Sequence, residues 1–128
     1  MYDVKFQFFI GDTYARDIII KKYSSEISEM YFTVKKSNND KNYVLQKTLD
    51  DGITLTDVVY DDGKIIERTY NLLVNATDTD DLTPNKEYVF DIEIVTPVLS
   101  GEDIKKTIIT GTLTLTDATT RVFNEGVW

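Results

Sequence analysis

The stretch Glu87-Tyr88-Val89-Phe90-Asp91-Ile92-Glu93-Ile94 decides the fold class. Its even-numbered positions are all aromatic or aliphatic, and three of its four odd-numbered positions are acidic. A period of two is that of a β-strand, because successive side chains along a strand point to opposite faces of the sheet. The stretch therefore predicts a strand with one face in a core and the other face toward water.

Similar alternating segments recur along the chain, separated by polar turns such as Asp61-Asp62-Gly63. Together with residues 87–94 they give eight or nine predicted strands, and the others cover residues 4–10, 14–21, 30–35, 43–49, 53–56, 64–75, 104–110 and 111–116. The composition agrees, since 13 Ile, 11 Val and 17 Thr stand against only 3 Ala. Short strands at a spacing of roughly ten residues predict an all-β fold, either an antiparallel sandwich or a small barrel.

The chain has 128 residues, only 2 prolines and 6 glycines, and no low-complexity linker. We therefore predict a single β-sandwich domain over residues 1–128, which is long enough to bury an ordinary core. The predicted core consists of apolar residues on the inward faces of the strands: Phe6, Phe8, Ile18, Phe32, Val34, Leu72, Val74, Phe90, Ile92, Ile94, Leu113 and Leu115.

One segment, residues 77–84, breaks the strand pattern. Its threonines and aspartates predict a single helical turn near residues 77–83, which Pro84 ends. Tyr88 follows, with Phe90 two residues later. In immunoglobulin-like sandwiches, a tyrosine at the entry to a central strand bonds back to upstream backbone, two residues before a buried position. This spacing favours an immunoglobulin-like arrangement of the strands.

The chain contains neither histidine nor cysteine. It therefore lacks the usual acid/base group near neutral pH, thiolate nucleophiles and the commonest zinc ligands. No acidic pair stands out among the 22 acidic residues, so we predict a protein that is not an enzyme and has no cofactor or transition metal. A calcium site at Asp78, Asp80 and Asp81 is one alternative, and helix capping by the same carboxylates is the other.

The net charge of −8 is unevenly distributed, because 14 of the 22 acidic residues lie between positions 50 and 103. Such a surface repels nucleic-acid phosphates and anionic membranes, so we expect neither as a partner. No apolar run approaches the roughly 20 residues that a membrane-spanning helix needs, and the N-terminus does not resemble a signal peptide.

The segment at the C-terminus is unusually apolar for a chain end. Phe123, Val127 and Trp128 are candidate contact residues, because aromatic side chains commonly anchor interface centres. Three alternatives stay open at this point: the segment folds onto its own core, it inserts into a partner, or it is a free tail.

Several turn and strand segments occur in a characteristic order: Gly11-Asp12-Thr13, Phe32-Thr33-Val34-Lys35-Lys36, Gly52-Ile53-Thr54-Leu55-Thr56-Asp57, Thr79-Asp80-Asp81-Leu82-Thr83-Pro84, Tyr88-Val89-Phe90-Asp91-Ile92-Glu93, Gly111-Thr112-Leu113-Thr114-Leu115-Thr116 and Thr120-Arg121. Over residues 3–121 the chain resembles the immunoglobulin-like β-sandwich domain of tailed-bacteriophage virions. The resemblance is greatest to the N-terminal domain of phage baseplate upper proteins and to related tail or head-fibre proteins. It implies a non-enzymatic structural role in a particle, often in a symmetric assembly.

We therefore expect a phage or prophage virion protein of the tail, baseplate or head fibre, made in the bacterial cytoplasm. It would act through contacts with copies of itself or with other virion proteins. The alternative is a carbohydrate- or cell-surface-binding module, for which exposed Tyr23, Tyr31, Tyr43 and Tyr60 are the candidates. An enzyme with a carboxylate pair ranks last.

Overall fold

The computed structural model of the chain describes residues 2–116, and the side chains from residue 4 onward. Strands make up 63% of the described residues, which confirms the all-β prediction. The eight strands are β1 (Tyr2–Phe9), β2 (Tyr14–Lys21), β3 (Glu29–Lys35), β4 (Leu45–Leu49), β5 (Gly52–Asp61), β6 (Lys64–Val74), β7 (Glu87–Thr96) and β8 (Ile104–Thr116). A single 3₁₀ turn, Ala76–Thr79, lies between β6 and β7, where the sequence predicts one helical turn.

The strands form one sheet in the order β1-β8-β7-β3-β4-β5-β6-β2, which is nearly barrel-shaped. A short connection joins β1 to β2, although these strands lie at opposite ends of the order, so the sheet must curl back on itself. Strand pairing is mostly antiparallel, as predicted.

The expectation of a purely antiparallel arrangement is wrong for two pairs of strands, because β1 pairs with β8 in parallel, and β4 with β5. The chain does not reverse fully between β4 and β5, where Asp50 and Gly52 both have positive φ. No hairpin joins β1 to β8, and a hairpin would force these strands to be antiparallel. The chain passes instead from β1 to β2, at the other end of the strand order.

The buried core confirms the predicted alternation of inward-facing and outward-facing residues along the strands. All twelve predicted core residues are buried, and they belong to one cluster together with residues such as Met30, Ile53 and Tyr88. Phe90 stacks on Phe6 with 4.8 Å between the ring centroids. One position departs from the alternation, because Ile66, on the same face of β6 as Leu72 and Val74, is exposed, and the next residue on that face, Arg68, is buried.

Residues 104–116 form one continuous strand rather than the two predicted ones. Gly111 lies at the middle of this strand, opposite Val4 of β1 and Phe90 of β7. A methyl group placed on Gly111 would lie 1.8 Å from the carbonyl oxygen of Val4 and 2.7 Å from the Phe90 ring. The glycine is therefore what lets three strands approach closely here, and it does not mark a strand end.

The predicted tyrosine contact is also present. The backbone N–H of Thr83 donates to the hydroxyl oxygen of Tyr88 at 2.9 Å, and Tyr88 is fully buried. The contact ties the connection after the 3₁₀ turn to the start of β7. Asp78 of the turn accepts from the backbone N–H of Asn75 and pairs with Lys47 Nζ, each at 2.7 Å, which holds the turn against β4.

Candidate functional site

The predicted contact residues Phe123, Val127 and Trp128 lie outside the described residues. Three other surfaces in the described part of the chain are candidates for binding a ligand or partner: an open cleft between β2 and β8, a polar groove on the outer face of β3 and β7, and a projecting hairpin.

The cleft arises because the sheet does not close. Within the described residues β2 pairs only with β6, so its other backbone edge is free. β1 covers β8 from Ile109 onward, and no other strand of the described region, residues 2–116, covers this edge at residues 104–108. These two edges border a cleft of about 460 Å³. Unpaired strand edges are templates for adding another strand.

The cleft combines apolar walls with positive charge. Its aliphatic side chains come from both edges and from the core behind them: Ile19, Ile20, Ile94, Ile108 and Ile109. Ile108 and Ile109 are only partly buried, although they pack against the core. Lys21, Lys22 and Lys106 also line the cleft, and its described lining contains no acidic residue. The surface therefore suits a segment that is both apolar and acidic.

A buried arginine positions one wall of this cleft. Arg68 Nη1 and Nη2 donate to the carbonyl oxygens of Tyr23 and Ser25 at 2.7 and 2.6 Å. The Tyr23 hydroxyl is hydrogen-bonded to the side chain of Thr96, and Lys106 Nζ lies 5.8 Å from the Tyr23 ring centroid. Tyr23 is thus part of a fixed wall, which the sequence pattern did not indicate.

The polar groove lies on the outer face of the sheet, where alternate residues of β3 and β7 point away from the core. It has a volume of about 400 Å³ and is lined by Glu29, Tyr31, Thr33, Lys35, Lys41, Tyr43, Gln46, Asp91, Glu93, Val95 and Lys105. Three carboxylates and three lysines balance one another in this lining. The structure therefore brings together two of the four tyrosines that the sequence singles out.

Hydrogen bonds and partial burial shape the electrostatics of the groove. The Tyr31 hydroxyl donates to Glu29 Oε2 at 3.0 Å, and this bond to the neutral phenol raises the pKa of Tyr31 above its usual value. Partial burial raises the pKa of Asp91, and nearby Lys35 opposes the effect. Gln46 Nε2 donates to Thr33 Oγ1 at 3.0 Å. The groove is a preformed, polar surface with an exposed aromatic ring, Tyr43, at its side.

The projecting hairpin consists of residues 55–66, the outer parts of β5 and β6. β2 ends at Lys21 opposite Glu67, so the hairpin extends beyond its neighbour. On the other side, β4 pairs with β5 only at Gly52 and Ile53, which leaves the outer part of the β5 edge free within the described structure. Its exposed apolar side chains are Leu55, Val59, Tyr60 and Ile66, and Tyr60 is 64% exposed.

Among the three aspartates considered as a calcium site, Asp78, Asp80 and Asp81, the structure supports the helix-capping alternative for Asp78. Asp78 accepts from backbone and pairs with Lys47, whereas Asp80 and Asp81 are exposed. No group of three or more potential metal-ligating acidic side chains occurs among residues 2–116. The carboxylate of Asp78 is thus already engaged in holding the 3₁₀ turn.

Comparison of the chain with protein-family models and with curated proteins found no match. In the described region, no helix has the length and apolar character that crossing a membrane requires.

Proposed function

We propose that this chain is a non-enzymatic structural component of a phage or prophage virion, in the tail, baseplate or head fibre, acting through protein–protein contacts. The observation that carries the proposal is the open cleft between β2 and β8. Two free strand edges, five isoleucines and three lysines converge there, which is an arrangement suited to docking a protein segment. The order of turn and strand segments along residues 3–121 supports the virion assignment by resemblance.

We infer that the strands pack as an immunoglobulin-like sandwich. The support lies in the weak junction between β4 and β5, which pair at only two positions, Thr48 with Gly52 and Leu49 with Ile53. Dividing the sheet there gives layers β1-β8-β7-β3-β4 and β5-β6-β2, which would face each other across the common core. The hydrogen bond of Tyr88 at the entry to β7 fits the same arrangement.

The proposal of a virion component has a direct test. Particles induced from the strain that carries the gene are purified, and their proteins are identified by mass spectrometry. The account expects peptides of this chain at a fixed ratio to a known tail or head protein. Particles that contain none of the chain, although the cells express it, would contradict the proposal.

The contribution of Phe123, Val127 and Trp128 is tested separately by truncating the chain after Asn124. Phe123 is then replaced by alanine in the full-length chain. If these residues bind a partner, both variants keep the melting temperature and lose the oligomer or the partner in light scattering. A lowered melting temperature instead places the segment on the chain's own core, and an unchanged result in both assays excludes either role.

Carbohydrate binding is a second candidate function, and the polar groove favours it. Tyrosine rings can stack on sugar rings, and the carboxylate, amide and lysine side chains beside Tyr31 and Tyr43 can hydrogen-bond to hydroxyl groups. Because the charges in the lining balance, a neutral saccharide fits better than a charged one. A glycan array with the native chain and a Tyr43→Ala variant tests this function.

Tyr60→Ala serves as the matched control for the array, since Tyr60 is similarly exposed but lies on the hairpin. Sugar binding through the groove predicts a signal that Tyr43→Ala removes and Tyr60→Ala retains. A native chain without any signal, or a signal that both variants retain, would exclude the groove.

A further inference from the structure

The projecting hairpin, residues 55–66, has surface properties that complement those of the cleft. Asp57, Asp61 and Asp62 outnumber its single cation, Lys64, so the hairpin is acidic. It also exposes aliphatic and aromatic side chains and one unpaired strand edge. The cleft carries three lysines, apolar walls and two unpaired strand edges.

We propose that the hairpin of one copy docks into the β2–β8 cleft of a second copy, with the outer β5 edge adding to a free edge of the cleft. This inference rests on the proposed assembly function and names the partner as the chain itself. Opposite charges would steer the two surfaces together, and Tyr60, the most exposed of the hairpin's apolar residues, would be the aromatic anchor.

The geometry decides the kind of assembly. The hairpin and the cleft are different surfaces of one molecule, so the contact is head-to-tail rather than self-complementary. A head-to-tail contact leaves one hairpin and one cleft unused in every dimer. Repetition therefore produces a ring if the rotation closes and an open filament if it does not. Thr56 is an extra residue on β5 between Leu55 and Asp57, and this bulge limits uncontrolled pairing along the inner part of that edge, so that residues 57–61 are the segment available for strand addition.

The test uses two variants of the full chain, each altered at exposed side chains only. The hairpin variant carries Tyr60→Lys and Asp61→Lys, which replace apolar and acidic groups by positive ones. The cleft variant carries Ile19→Glu and Lys106→Glu, which put two glutamates beside the remaining Lys21 and Lys22 and so remove the cleft's net positive charge. An Asn39→Lys variant, altered at an exposed turn residue outside both surfaces, is the control.

Light scattering over a range of concentrations measures association, and thermal melts monitored by circular dichroism check that each variant is folded. We expect the native chain and the Asn39→Lys control to form species larger than a monomer. The hairpin and cleft variants each need at least about tenfold higher concentration, because like charges oppose docking in the first, and the second has lost the charge attraction and carries a carboxylate in an apolar wall. An equal mixture of the two variants regains association, since the hairpin variant keeps the native cleft and the cleft variant keeps the native hairpin.

Association of the native chain also weakens at high salt, because exposed charges are screened. The inference is overturned if either folded variant associates like the native chain, or if the mixture stays monomeric. It is also overturned if the native chain is monomeric throughout, in which case the proposed function depends on other virion proteins and the particle analysis decides it. Association that is lost only on truncation after Asn124 assigns the contact to the C-terminal segment instead.

Discussion

Replacing Tyr88 by phenylalanine tests whether the tyrosine hydroxyl fixes the entry to β7. The substitution removes one oxygen atom and leaves the ring in place, so packing of the fully buried side chain changes little. What is lost is the 2.9 Å hydrogen bond from the N–H of Thr83. A donor left unpaired in a buried site costs about 1–3 kcal/mol. Thr83 itself is exposed and water can reach it, so we expect about 1–2 kcal/mol.

Urea denaturation of native and variant chains measures this difference directly, and a thermal melt should show a shift of roughly 3–10 °C for a chain of this size. Tyr43→Phe is the control, because Tyr43 is exposed and its change should stay within about 0.5 kcal/mol. A change in the free energy of unfolding for Tyr88→Phe no larger than that of the control would refute this role of the hydroxyl.

Four further substitutions probe three other parts of the structure. Gly111→Ala should destabilise by at least about 1–3 kcal/mol in urea denaturation, because the new methyl group overlaps backbone of β1 and the Phe90 ring; an unchanged midpoint would contradict the close strand approach. Asp78→Ala should cost about 2–4 kcal/mol in the same assay, since it removes the cap and leaves Lys47 unpaired, whereas Lys47→Met should cost less. Asp91→Asn should raise stability at pH 7, because partial burial raises the pKa of Asp91 above its ordinary 3.8 and so disfavours its charged form in the folded state. That gain should disappear as the pH falls through the raised pKa to below 3.8, and a gain that stays constant with pH would refute it.

The strands and the core follow from local pattern, which is why the sequence predicts them well. Side-chain alternation places Phe32, Leu72 and Leu113 inside without reference to any neighbour, since the period of two is a property of each strand alone. Tyr88 was predictable for a similar reason, because its role depends on spacing within a few residues.

Features that depend on which strands meet were not predictable in this way. The sequence places Ile66 on the inward face of β6, but β2 ends before it and the residue remains exposed. Arg68 is buried because the backbone carbonyls of Tyr23 and Ser25, more than forty residues earlier, accept its hydrogen bonds. Neither the exposure of Ile66 nor the burial of Arg68 therefore follows from the residues adjacent in sequence.

The candidate surfaces also include one that the local sequence indicates in part and one that depends on which strands meet. The tyrosines of the polar groove were singled out, and the structure shows that only Tyr31 and Tyr43 share it. The cleft was missed, because it exists only through the gap that the curled sheet leaves between β2 and residues 104–108 of β8. The run Ile18-Ile19-Ile20 is a local indication of the cleft. Its middle residue points to the opposite face from its two neighbours, so an isoleucine must lie outside the core if they lie inside it.

The central claim is that assembly proceeds through the free strand edges bordering the cleft. Amide hydrogen exchange, followed by mass spectrometry at low and high protein concentration, measures this directly, because strand addition protects backbone N–H groups that are otherwise open to water. We expect increased protection at high concentration in at least one of the two edges, β2 or residues 104–108, with unchanged exchange in the central strand β7. Association of the chain without any added protection in β2 and residues 104–108 would contradict it.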